Sequence, residues 1–172
     1  TFVEQNKFDA DFSNLEEKIQ GEKNIFSSKS LEWLDWKYNR YKTSKKLFVL
    51  KVYESNEFIG FVVMIGNIEK KFDLKRLTIT EIFMSEQKIS ILNDITNHCV
   101  GFGIKNNYDV LDLVGFRKEK RQIFEKFGFI KKKSKNFSFL VKNNKDDLKN
   151  VLFESHDKLD LSLTDGDGVL YL

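Results

Sequence analysis

The sequence predicts an α/β (α+β) fold: a mixed central sheet, entered by an antiparallel meander and completed by a β-α-β unit, with helices on both faces. Three patterns predict it. The runs "KLFVLKVYE" and "FIGFVVMIG", rich in Val, Ile and Phe, are separated only by "SNE", which reads as an antiparallel hairpin. "KISILNDITNHCVGFGIKNN" sets Ile91, Ile95, Cys99 and Phe102 three or four residues apart, on one face of a helix. "YDVLDLVGF" follows as a short, almost wholly apolar stretch of the kind buried on both faces of a sheet.

The remaining elements fall into order around these. "FSNLEEKI" puts Phe12, Leu15 and Ile19 at helical spacing, with Gly21 as its stop. "SLEWLDWKYNRY" starts a second helix, with Ser30 as N-cap and Glu32 in the first turn, where a carboxylate complements the helix dipole. Leu31, Leu34 and Tyr38 share one of its faces and Trp33 and Trp36 cover another. Aromatics at this spacing, Tyr41 included, read as core, with a sugar or aromatic site as the alternative. After the hairpin, "KRLTITEIFM" is a third strand. Alternation puts Leu77 and Ile79 on one side, with the side of Glu81 left open between that one and the other, and Thr78, Thr80 and Ile82 on the other. Gly101 to Gly103 mark the C-terminal end of the long helix, and "RKEKRQIFEKFGF" is a short basic helix closed by Gly128. "FSFLVK" reads as a further strand and "DDLKNVLF" as a last helix or turn. No repeat, linker or low-complexity tract intervenes, so one domain is expected over residues 1–172.

Composition narrows the function classes. At 41% hydrophobic and 32% charged residues, the chain is an ordinary globular protein rather than a disordered one. No apolar run reaches the length of a membrane span, so no membrane partner is expected. A single cysteine, Cys99, excludes an internal disulfide and points to a reducing, cytoplasmic setting; its apolar neighbours favour a buried thiol. The net charge of +3 is small and lysines interleave with acids almost everywhere. Only "KKKSK", Lys131 to Lys135, concentrates positive charge, and it reads as a solvated hairpin rather than a nucleic-acid footprint. His98 stands beside the apolar row of the long helix with no ligand partners at metal spacing, so it is expected to be a partly exposed structural histidine. With Thr1 rather than Met in front, the chain is expected to be a piece of something longer.

The terminal "DLSLTDGDGVLYL" suggests a metal loop, but its spacing fails. A helix-loop-helix calcium loop needs Gly at the sixth position and a carboxylate at the twelfth. Counted from Asp160 the sixth place is Asp165, and counted from Asp165 the chain ends before the twelfth. Asp165-Gly166-Asp167-Gly168 therefore reads as a tight turn, with Gly supplying positive φ, and no metal is expected. No nucleophile elbow, Walker loop, His-Glu-x-x-His or paired-cysteine site occurs either.

Two helices, a hairpin, a strand, a long helix, a strand and a helix closing in Phe124-Glu125-Lys126-Phe127-Gly128-Phe129 resemble the GNAT superfamily of N-acetyltransferases. In that fold the last helix commonly closes with a Tyr-Glu-Lys-x-Gly-Phe-like signature. "LEWLDWKYNRY", the hairpin containing "IGFVV" and the ending "LSLTDGDGV" are similar to a bacterial subgroup. Its members pair two GNAT-like halves and are associated with surface-polysaccharide or amino-sugar modification. The resemblance covers nearly the whole chain.

It implies acetyl-CoA or another acyl-CoA as cofactor, held at Phe83 and Met84 of the third strand and at Gln87 and Lys88. The family grips the pyrophosphate with Gln/Arg-x-x-Gly-x-Gly/Ala after the central strand, where amides and helix dipole favour an anion. Here "FMSEQKISILND" stands there, without either glycine. The family's proton-donating Tyr of the last helix falls on Phe124, which has no hydroxyl, and the Asn two turns earlier falls on Arg117. The carboxylate that serves as general base in some members falls on Glu81. Two functions follow from the resemblance. One is a GNAT-type N-acyltransferase, or a domain of one, acting on a small-molecule amine, an amino sugar or sugar nucleotide. The other is a non-catalytic GNAT-like half that supports a partner half or binds a ligand or protein.

Overall fold

The computed structural model describes residues 1–20, 25–26, 28–44, 46–114, 116, 118–131 and 159–160 of the chain. The elements in order are β1 (Phe2–Gln5), α1 (Asp11–Gln20), β2 (Ile25–Phe26), α2 (Leu31–Thr43), β3 (Leu47–Glu54), β4 (Glu57–Glu69), β5 (Leu74–Met84), α3 (Leu92–Lys105), β6 (Val110–Leu113), α4 (Lys118–Lys126) and β7 (Leu159–Asp160). A 3-10 helix, Glu86–Ile91, runs directly into α3. The main sheet has the strand order β1-β3-β4-β5-β6, antiparallel throughout except for the parallel β5–β6 pair; β2 and β7 form a separate parallel pair. The meander and the β5-α3-β6 crossover are those the sequence predicts. Strands β1 and β2 are not foreseen there, being too short to show a period.

Each face of the sheet carries its own core. On one side, Phe12, Leu15 and Ile19 of α1 and Leu34, Tyr38 and Tyr41 of α2 pack on Leu47, Val49, Phe61, Val63 and Phe83. On the other, Leu92, Ile95, Cys99 and Phe102 of α3 and Phe124 of α4 pack on Leu50, Val62, Met64, Leu77, Ile79 and Met84. The Ser30 hydroxyl accepts the Trp33 amide at 3.3 Å, the cap expected for α2. Tyr38 and Tyr41 are core; Trp33 packs against that core, and Trp36 is 77% exposed. Cys99 is fully buried, and burial pushes its thiol up to about 12, so it is an inert packing residue. His98 lies half-buried, its ring 4.6 Å from that of Phe2 and its Nε2 3.3 Å from Glu4 Oε1.

One feature of β5 departs from plain alternation. The β4–β5 register runs Val63↔Glu81 and then Met64↔Ile79, so Thr80 is an extra residue, a β-bulge. Its hydroxyl donates to the Val63 carbonyl at 3.2 Å and lies 3.2 Å from the Tyr38 hydroxyl. The bulge reverses the facing of everything after it. Leu77 and Ile79 belong to the α3 side, but Glu81 and Phe83 turn to the α2 side, and Ile82 and Met84 rejoin Leu77. Glu81, whose side the sequence leaves open, therefore does not share one with Leu77 and Ile79.

The helix stop at Gly21, Arg117, the "FSFLVK" and "DDLKNVLF" segments, Ser134 and Lys135, and the Asp165–Gly168 turn lie outside the described residues. Of the basic run only Lys131 is described, and it is exposed. No described helix is long and apolar enough to cross a membrane.

Candidate active site

Two places on β5 bring together the residues that the sequence singles out, one on each face of the sheet. The first is built around Glu81, which is 3% exposed. Its Oε1 is 3.0 Å from Lys29 Nζ and its Oε2 is 2.9 Å from Lys37 Nζ. The Tyr38 hydroxyl donates to Oε2 at 3.4 Å. Both ammonium groups lie over the Trp33 ring, at 5.1 and 4.3 Å from its centroid. Lys29 is held in turn by its amide, which donates to Glu16 Oε1 of α1 at 2.9 Å. Burying a carboxylate is tolerable only with opposite charge and hydrogen bonds around it, and this cluster supplies both. The carboxylate thus ties the start and middle of α2 to the bulged part of β5. Its two oxygens are both engaged by lysines, and its side chain is 4% exposed.

The second place is the edge of β5 beyond the bulge. Strand β6 pairs with β5 only from Arg76↔Val110 to Ile79↔Leu113, after which the Val114 amide donates once more to the Ile79 carbonyl at 3.3 Å. From Thr80 to Met84, β5 continues while β6 does not. Phe83 pairs with Phe61, and the main-chain groups of Ile82 face the other way, toward the gap; by the two-residue period those of Met84 do too. The Ile82 carbonyl accepts from Lys120 Nζ of α4 at 3.1 Å, and Lys120 is only 4% exposed. Phe116 and Phe124 complete the apolar packing on that side. Among the described residues the gap is therefore a slot with a polar strand edge, an apolar wall and the buried Lys120 ammonium.

The other expected cofactor contacts lie at the top of this slot. Phe83 and Met84 end β5, their side chains buried on opposite faces; the main chain of Phe83 is turned to Phe61 of β4, so of the two expected contacts Met84 alone offers main-chain groups to the slot. Gln87 and Lys88 lie in the 3-10 helix that leads into α3. The Lys88 ammonium pairs with Glu54 of β3, which raises its pKa, and its amide donates to the Ser85 carbonyl at 3.0 Å. Helix α3 itself begins after Ile91, in a helical conformation and with no side-chain cap. Among the described residues no group of three or more His, Cys, Asp or Glu could hold a metal ion.

The fold this geometry belongs to is that of the GNAT acetyltransferases, a class defined by its mixed sheet with helices on both sides. Glucosamine-6-phosphate N-acetyltransferase from Arabidopsis thaliana superposes with a TM-score of 0.59 at 11% identity, over 82% of this chain and 99% of that one. A predicted acetyltransferase from Clostridium acetobutylicum, solved with acetyl-CoA, superposes with a TM-score of 0.53 at 15% identity, over 91% and 99% of the two chains. A GNAT family acetyltransferase from Staphylococcus aureus gives 0.56 at 13% identity, over 81% and 99%. At such identities it is the fold that is shared. No protein-family model and no curated protein sequence matches the chain.

The residues fit an acyl-CoA in one part and not in another. An acyl-pantetheine arm carries two amides and an apolar thioester end, which suit a strand edge where, among the described residues, the main chain of Ile82 and Met84 makes no ladder bonds to β6. The diphosphate finds no glycine between Phe83 and Leu92, and the cation nearest the helix start, Lys88, is engaged by Glu54. Lys120 and the Lys29–Lys37 pair are the site residues that sequence reasoning misses. Lys120 has one legible signal: it lies four residues before Phe124, on the buried stripe of an otherwise basic helix.

Proposed function

We propose that this chain is an acyl-CoA-dependent N-acyltransferase, or a domain of one, that passes an acyl group to the amine of a small molecule. The observation that carries the reading is the slot along Ile82 to Met84, where β5 outruns β6 in a GNAT fold. In this reading the thioester arm lies along β5 and makes main-chain hydrogen bonds at Ile82 and Met84. Its polar end points toward Gln87 and Lys88, and Lys88 exchanges Glu54 for phosphate. Bound there, the carrier supplies an activated carbonyl. The chain's own part is to align that carbonyl, keep water from it with Phe116 and Phe124, and place charge where the sulfur departs. Glu81 serves by pinning α2 against β5, on the far side of the sheet from the slot. An amino sugar or sugar nucleotide is the proposed acceptor. It is supported by the resemblance of the sequence and by a neighbour that is named for an amino-sugar phosphate. A reducing, cytoplasmic setting belongs to the same proposal, supported by the lone reduced Cys99.

A second reading is favoured by two specific observations: both Glu81 oxygens are engaged by lysines, and Phe124 carries no hydroxyl. In it the chain is a GNAT-like half that supports a catalytic partner half. Calorimetric titration of the purified chain with acetyl-CoA separates the two. Binding at micromolar concentration supports the first, and no heat at millimolar acetyl-CoA leaves the second.

A further inference from the structure

We infer that this chain forms a two-fold homodimer in which β1 pairs antiparallel with β1 of a second copy, joining the two main sheets into one. The inference goes beyond either function above, since β1 and the slot lie at opposite ends of the strand order. Among the described residues no strand pairs with the outer side of β1. Which of its groups face outward follows from its inner pairing. Thr1 and Tyr53 exchange main-chain hydrogen bonds in both directions, at 2.8 Å each. The register continues as Phe2↔Val52, Val3↔Lys51, Glu4↔Leu50 and Gln5↔Val49. Hydrogen-bonded and non-hydrogen-bonded pairs alternate, so Thr1, Val3 and Gln5 turn their amides and carbonyls to β3. Phe2 and Glu4 turn theirs outward. No Pro, Lys or bulge blunts the edge between Phe2 and Gln5, and its one charge, on Glu4, is turned back to His98 Nε2 at 3.3 Å.

This edge is matched to itself. A two-fold axis through Val3 makes Phe2 and Glu4 of one copy the hydrogen-bonded partners of Glu4 and Phe2 of the other, each pair exchanging both of its main-chain bonds. Val3 then meets Val3 of the second copy in the closer pair between them, which covers a side chain that is 43% exposed. The two Glu4 side chains never stand opposite each other in this register. The face toward α3 agrees. An open groove of about 580 Å³ runs between β1 and α3, and Asp94, Asn97, Gly101 and Lys105 form its exposed helical side. The His98 ring, 4.6 Å from that of Phe2, puts the axis beside the middle of α3. Two antiparallel copies of the helix bring Asp94 of each, in its first turn, toward Lys105 of the other, in its last. Within one chain these two charges stand about 16 Å apart and do not meet. Gly101 leaves room for the approach, since a Cβ added there meets nothing within 4 Å. A face that carries both charges in this order fits its own copy better than a strand of one charge sign.

Sedimentation equilibrium of the full chain, from low to high micromolar concentration, tests the inference. The mass is expected to rise toward twice 20.3 kDa. Val3→Lys sets two ammoniums against each other at the axis and should hold the chain at 20.3 kDa throughout, with an unchanged thermal transition because the side chain is half-exposed. Asp94→Lys and Lys105→Glu each put like charges at both helix contacts, and each alone should weaken association by about tenfold. An equimolar mixture of these two variants should associate as wild type does, because every contact in the heterodimer again joins opposite charges. No effect confined to one chain produces that rescue. Hydrogen exchange gives a second readout: the amides of Phe2 and Glu4 should slow as concentration rises, while that of Val3 should not. A monomer at every concentration overturns the inference. A dimer that survives Val3→Lys and both charge variants overturns it equally, because its contact then lies on another face.

Discussion

Glu81→Gln removes one negative charge from the buried cluster and almost nothing else. The amide keeps the shape of the carboxylate, but Lys29 and Lys37 then lie about 3 Å from a neutral group, the present separations being 3.0 and 2.9 Å. Stranding a buried charge by deleting its partner costs about 3–5 kcal/mol. Two ammoniums are stranded here, but the face of Trp33 lies under both and Tyr38 and Thr80 supply oxygens nearby. The expected loss is therefore about 3–5 kcal/mol rather than twice that. A domain of this size loses about 2–4 °C of midpoint per kcal/mol, so the thermal transition should fall by about 6–20 °C. Urea unfolding followed by tryptophan fluorescence is the assay, since Trp33 sits on the cluster itself. The companion variant Lys29→Met/Lys37→Met/Glu81→Leu, apolar and of similar volume, should lie within about 1 kcal/mol of wild type or above it. A loss below about 1 kcal/mol for Glu81→Gln would refute the reasoning, because it would mean that the lysines find water as easily as they find Glu81.

Two further predictions concern the opposite face. Cys99 should resist iodoacetamide at pH 8 in the native state and react at once in denaturant, because burial keeps its thiol protonated up to about 12. The sign follows from linkage: its folded pKa is raised, so this thiol's contribution is complete below about pH 8.5. It is lost between there and about pH 12, where the unfolded chain ionises first. A stability curve of Cys99→Ala that falls as steeply as wild type over that window would show that the thiol is not responsible. Gly66→Ala would bring a Cβ within 3.0 Å of the Tyr108 hydroxyl and into contact range of Phe48. A loss of about 1–3 kcal/mol in urea unfolding is expected, and it should vanish in a Tyr108→Ala background. An equal loss in both backgrounds would locate the strain elsewhere.

What the sequence makes legible is what is local. The hairpin around "SNE", the Ser30 cap and the apolar row of α3 each reside in one short stretch, and each forms as the stretch predicts. The candidate sites are harder, because their parts meet only in the folded chain. Lys29 stands among serines and Lys37 between Trp36 and Tyr38, with nothing local to mark them, yet they converge on a carboxylate more than forty residues away. The bulge at Thr80 is silent in "LTITEIF", which holds neither Gly nor Pro and alternates as a regular strand would. Strand β1 is found only through its partner β3, since four residues carry too little period. Glu81 and Met84 are found by resemblance, whereas Lys120 becomes visible only once its ammonium is seen at the Ile82 carbonyl.

The extra residue in β5 has a meaning for how such chains change over time. A strand that alternates strictly has a parity, and one insertion inverts the parity of every position downstream. In β5 the segment before Thr80 and the segment after it follow opposite conventions, and the slot, the Glu81 cluster and the end of the sheet are all written in the second. Loss of that one residue would leave the composition of the strand almost untouched. It would also leave the facing of the rest as it is, since Ile79 toward α3 and Glu81 toward α2 would then follow each other in plain alternation, whereas closing the bulge with Thr80 kept in register would drive Glu81 and Phe83 toward the α3 core. Residues of this strand can be compared between related chains only after the inserted position has been located in each.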